Sequence, residues 1–119
     1  MLVTQAHFEQ LVFEIAEEAL NRLTPELRLA AGRVVLGVEA EPPDGEPDLL
    51  GLFEGVPLTE RGPDDVFLEL DTVTLFYRPL VEMCAEEAEL RAEIRITLIH
   101  EYAHFFGMEE DELARCGWG

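Results

Sequence analysis

The sequence predicts an α+β fold, a small mixed sheet packed against helices. Three observations predict it: a helix-period apolar stripe at the start of the chain, short alternating runs in its middle, and a longer helical stripe near its end. Phe8, Leu11, Val12, Ile15, Ala16, Ala19 and Leu23 recur at three- and four-residue spacing behind Thr4, which stands where it can cap a first turn, so residues 4–22 are expected to form an amphipathic helix. Thr24-Pro25-Glu26 opens a second, short helix with proline in the first turn, and Gly32 closes it. Val34, Leu36 and Val38 alternate as a strand. A proline- and acid-rich surface loop follows over 41–48. Leu49 to Glu54 reads as a short strand with a glycine inside it, and 56–65 is rich in turn residues. Val66, Leu68, Leu70, Val73, Leu75 and Tyr77 predict one bent strand or a hairpin over 66–77, ended by Pro79.

The last long element runs from about Ala85 to Phe106. Glu86, Glu87 and Glu89 sit at the end where the helix dipole favours anions, and Leu90, Ile94 and Leu98 make the inner stripe. Gly107 can take the left-handed conformation that stops a helix, and Glu109 to Arg115 then forms a closing turn or short helix. At 119 residues the chain is expected to be one domain, 1–119, with any active cleft shallow or shared.

Composition narrows the chemistry. A formal charge of -18, from 26 acids against 8 bases, repels a phosphate backbone, so neither a nucleic acid nor an anionic membrane is an expected partner, and basic peptides are better matched. All the bases are arginine and serine is missing, which excludes lysine Schiff-base chemistry and a serine nucleophile. Cys84 and Cys116 form neither a C-x-x-C nor a disulfide framework, and no signal-like or membrane-length apolar run is present. A cytoplasmic protein with reduced, structural cysteines is expected.

The chemistry that remains centres on His100-Glu101-Tyr102-Ala103-His104, an H-E-x-x-H motif in the last two turns of the long helix. Residues i and i+4 lie on one helix face, so the two imidazoles can grip one ion, and Glu101, about 100° round the helix from His100, is placed to act as general base on water at that ion. Zn2+ is the expected metal. A catalytic zinc site needs a third protein ligand and an open position. His7 lies on the first helix and reads as a surface residue. The glycine turn instead brings up Glu110, six residues past the second histidine, with Asp111 or Glu109 as alternatives if the turn differs by one residue. Tyr77, Arg61 and Arg78 are candidate oxyanion helpers.

With these residues in view, the chain resembles the small bacterial family of minimal zincin-like metallopeptidases. The likeness extends beyond His100-Glu101-x-x-His104-x-Phe106-Gly107 to the stretch from Leu50 to Arg61 and the run Thr74-Leu75-Phe76-Tyr77-Arg78-Pro79. It implies a reduced zincin core of a few strands and helices with zinc at the long helix, and no particular substrate. The glycine spacing is also similar to metzincins, from which the chain departs twice: Glu110 stands where they carry histidine or aspartate, and Met108, directly after the glycine, leaves no later methionine for their methionine turn.

Two functions are therefore expected to compete. One is a zinc-dependent metallopeptidase acting on peptide or protein substrates, with an exposed strand from 49–77 aligning the peptide. The alternative is a non-catalytic metal-binding or partner-binding module with a zincin-like shell. The sequence carries no signal for oligomeric state.

Overall fold

A computed structural model describes residues 1–60 and 70–118. In chain order the elements are α1 (Gln5–Leu20), α2 (Pro25–Ala31), β1 (Val35–Glu39), β2 (Gly51–Glu54), a single 3-10 turn (Leu58–Glu60), β3 (Thr72–Phe76), α3 (Tyr77–Glu82), α4 (Glu87–Phe106) and α5 (Glu110–Arg115). The α+β expectation holds. The sheet is mixed, with β3 in the centre, β1 parallel to it and β2 antiparallel, which leaves β2 as an edge.

Local chemistry explains most boundaries. The Thr4 hydroxyl accepts from the His7 N–H, and the Thr24 hydroxyl accepts from Leu27 N–H ahead of Pro25, so each of the first two helices starts at a capped threonine. β3 buries Val73 and Leu75 on one face, as alternation requires. Two expectations need correction. Tyr77 does not continue the strand, and Pro79 does not end it. The chain turns helical at Tyr77, and Pro79 lies within the first turn of α3, where a missing N–H leaves no helix bond unmade. The strand predicted over 66–69 lies outside the described residues.

The core lies where α4 meets α1, β2 and β3. Phe8, Leu11, Val12, Leu75, Leu80, Leu90, Ile94 and Leu98 are fully buried there. A second aromatic cluster closes the C-terminal end: Trp118 packs edge-on to Tyr102 with ring centroids 5.4 Å apart, and its indole N–H donates to the Ala19 carbonyl, tying the chain end to α1. No helix among the described residues is long and apolar enough to cross a membrane.

Candidate metal centre

α4 presents two faces to two environments. Leu90, Ile94, Leu98, Phe105 and Phe106 bury its inner stripe, and this fixes His100 and His104 one turn apart on the outer side, where their side chains stay 52% and 55% exposed. Their ring centroids are 4.7 Å apart. Glu101 points inward between the two faces and keeps only 8% of its side chain exposed. That burial is possible because its carboxylate is satisfied: Oε1 accepts the Phe53 N–H of β2 at 3.1 Å and lies 3.3 Å from His104 Nδ1, while Oε2 lies 4.0 Å from His100 Nε2. One ligand atom from each of the three residues falls within 4.8 Å of the others.

The antiparallel register explains why Phe53 can serve Glu101. Leu50 and the residues two and four beyond it turn their main-chain groups toward β3, as the Leu50 carbonyl does when it accepts from Phe76 N–H at 3.0 Å, so Gly51 and Phe53 turn theirs outward. Gly51 is also the close-approach point between β2 and α4: a Cβ there would lie 2.6 Å from Thr97 Cγ2 and 3.2 Å from Glu101 Cγ. The glycine inside this strand was the one sequence signal for that approach. The Phe53 main-chain donor had no sequence signal.

The three downstream acids separate by role. Gly107, at φ 67°, ends α4 and turns the chain back. Glu109 caps α5 in a capping box with Glu112, and Asp111 faces Arg115 at 3.8 Å. Glu110 reaches the motif, with Oε1 2.8 Å from His100 Nδ1. It touches the site through that ring and is not one of the three converging residues.

The remaining candidates are engaged elsewhere. His7 Nε2 pairs with Glu87 Oε1 at 2.7 Å, tying α1 to the start of α4. The Tyr77 hydroxyl donates to the Val3 carbonyl. Arg78 donates to Glu41, Glu82 and the Pro47 carbonyl. Arg61 lies outside the described residues. Both cysteines are free, and neither joins the metal-ligand group among the described residues. Burial, reinforced by Glu93 and Glu89, pushes the Cys84 thiol up from its ordinary value, the opposite of a reactive thiolate.

Two imidazoles and a nearby carboxylate on a solvent-open helix face fit a divalent metal ion. A conserved hypothetical protein from Thermo thermophilus has the same fold, with a TM-score of 0.56 at 24% identity over 94% of this chain and 98% of that one. No curated protein matches the sequence. The sequence model of the zincin-like metallopeptidases matches residues 31–118, a span that takes in the whole sheet, α4 and its histidine pair, and by that match the chain belongs to the zincin-like metallopeptidase family.

Proposed function

We propose that this protein is a zinc-dependent peptidase in which His100, His104 and Glu110 hold the metal and Glu101 is the general base. The observation that carries the reading is a buried carboxylate, fixed by a strand N–H, set between two solvent-facing imidazoles one turn apart. The half-exposed rings leave room for water and substrate. Three protein ligands leave the fourth position of a tetrahedral zinc open to water, as a catalytic site requires. Zinc bound here supplies Lewis acidity toward a scissile carbonyl and eases deprotonation of water. Glu101 takes that proton and returns it to the leaving amine. The Phe53 N–H holds one of its oxygens, so the carboxylate meets its task in a fixed orientation.

The edge strand β2 supports a peptide substrate. It runs beside the site, and the outward main-chain groups that Glu101 does not engage, those of Gly51 and the Phe53 carbonyl, can pair with an extended chain. The charge of -18 favours basic peptides and disfavours nucleic acids. Two free cysteines suit a reducing, cytoplasmic setting.

Metal content by mass spectrometry, on protein purified without chelator, tests the site. Near-stoichiometric zinc is expected in the native chain and its loss in His104→Ala and Glu110→Ala. Glu101→Gln should keep zinc while peptide cleavage falls by about 10²–10⁴-fold. Cleavage retained in that variant overturns the mechanism. Zinc without turnover on any peptide would leave the non-catalytic metal-binding module as the function.

A further inference from the structure

Beside the histidine pair a cavity of about 340 Å³ opens between α4 and the start of β2. His100 and Glu101 line it together with the apolar Leu50 and Ile96 and the acidic Asp48 and Glu93. Ile96 is 56% exposed, a large apolar side chain left open to solvent on the same helix and one turn before the metal motif. Glu93 stands two turns before His100, about 10 Å along the helix axis. Neither Asp48 nor Glu93 forms an ion pair among the described residues. The Asp48 side is held in place: Arg78 ties the proline-rich loop at both ends, donating to Glu41 at 2.5 Å and to the Pro47 carbonyl at 2.7 Å.

We infer that this cavity is the subsite for a residue flanking the scissile bond, and that it selects a long cationic side chain, lysine or arginine. The inference rests on the peptidase reading and deepens it. A lining that combines Leu50 and Ile96 with Asp48 and Glu93 matches a side chain whose methylene stem packs on apolar groups while its charged head stays among anions. The general acidity of the surface attracts any basic peptide wherever its charge lies. The cavity adds a positional requirement, because His100 and Glu101 line the same space as Asp48 and Glu93, so a side chain seated in it belongs to a residue near the bond being cleaved.

The test uses the zinc-loaded full chain and peptides that differ only in the residue on either side of the cleaved bond: lysine, norleucine or glutamate. Lysine is expected to exceed norleucine in kcat/KM by about tenfold or more at one of the two positions. In Asp48→Asn/Glu93→Gln that ratio should fall below about threefold, whereas Glu9→Gln/Glu17→Gln, an equal loss of charge on α1, should leave the ratio as in the native chain. No preference at either position, or one that survives the Asp48→Asn/Glu93→Gln change, overturns the proposal. A second readout does not need turnover. Calorimetry on zinc-loaded Glu101→Gln compares a lysine hydroxamate with its norleucine analogue. If no peptide is cleaved yet the lysine compound binds more tightly, and only with Asp48 and Glu93 intact, the peptidase reading fails and the subsite stands. Equal affinities overturn the subsite.

Discussion

Glu109 and Glu110 are adjacent carboxylates with different tasks. Glu109 accepts at the start of α5 and closes a capping box, while Glu110 lies 2.8 Å from His100 Nδ1. Glu110→Ala is therefore expected to weaken zinc binding by at least about tenfold, since a carboxylate on a ligating histidine or on the metal itself contributes on that scale or more. Glu109→Ala should instead cost about 1 kcal/mol of stability, the value of a helix cap, with zinc affinity nearly unchanged. Competition against a chromophoric chelator and thermal unfolding separate the two effects. Equal zinc loss in both variants would sink the assignment. His100, Glu101 and His104 were legible because fixed spacing on a helix fixes relative position. Which of the three acids meets the histidines was not, because it depends on whether α5 starts at 109 or 110, and that is decided by the cap. Cys84 offers a separate check at this scale. Its raised thiol pKa, from burial and then Glu93 and Glu89, means less thiolate at a given pH, so at pH 8 its alkylation should run slower than that of a free thiol and recover in denaturant. Alkylation at the free-thiol rate in the folded protein would show that the burial is not felt.

The contact between β2 and α4 gives the element scale its sharpest prediction. A methyl group at Gly51 would meet Thr97 Cγ2 at 2.6 Å and Glu101 Cγ at 3.2 Å, so the strand must move away from the helix. Gly51→Ala is expected to destabilise the fold by about 1–3 kcal/mol, the usual range for overpacking, and to lengthen the Phe53–Glu101 hydrogen bond. Activity should then fall more than zinc affinity does. A variant of native stability and activity would show that β2 does not position the base. Gly107→Ala should be destabilising for another reason: at φ 67° a side chain is strained, and Thr59 occupies the space it would enter. The helices were legible at this scale because their stripes and caps are local. α3 was not, since Tyr77-Arg78-Pro79 follows an alternating run, and only the place of Pro79 within a first turn separates a strand end from a helix start. The lock made by Trp118 on Ala19 joins residues 99 positions apart, a contact local pattern does not encode. The Phe53 N–H on Glu101 spans 48 positions and was hidden for the same reason.

At the scale of the whole molecule the charge of -18 sets two opposing responses to salt. Screening weakens the ion pairs that Arg22, Arg78, Arg91 and Arg115 make with acids, and it also weakens repulsion among the acids in excess. Magnitudes decide between them. Exposed pairs of this kind contribute between 0 and about 1 kcal/mol each, and several contribute nothing measurable. The repulsion is collective. At 0.01 M salt the screening length of about 30 Å exceeds the 14.4 Å radius of gyration, so every acid senses most of the others, whereas near 1 M it shrinks to about 3 Å and only neighbours interact. Repulsion should therefore win. Raising sodium chloride across that range is expected to stabilise the native chain by on the order of 1 kcal/mol, a rise of several degrees in Tm. The same screening should weaken binding of basic peptides, so stability and KM should rise together along one salt series. Calorimetric unfolding and initial-rate measurements at matched salt check both limbs. A Tm that falls with salt would mean the arginine pairs outweigh the excess acid. A KM indifferent to salt would mean that the acidic surface takes no part in substrate capture and that recognition lies wholly within the cleft.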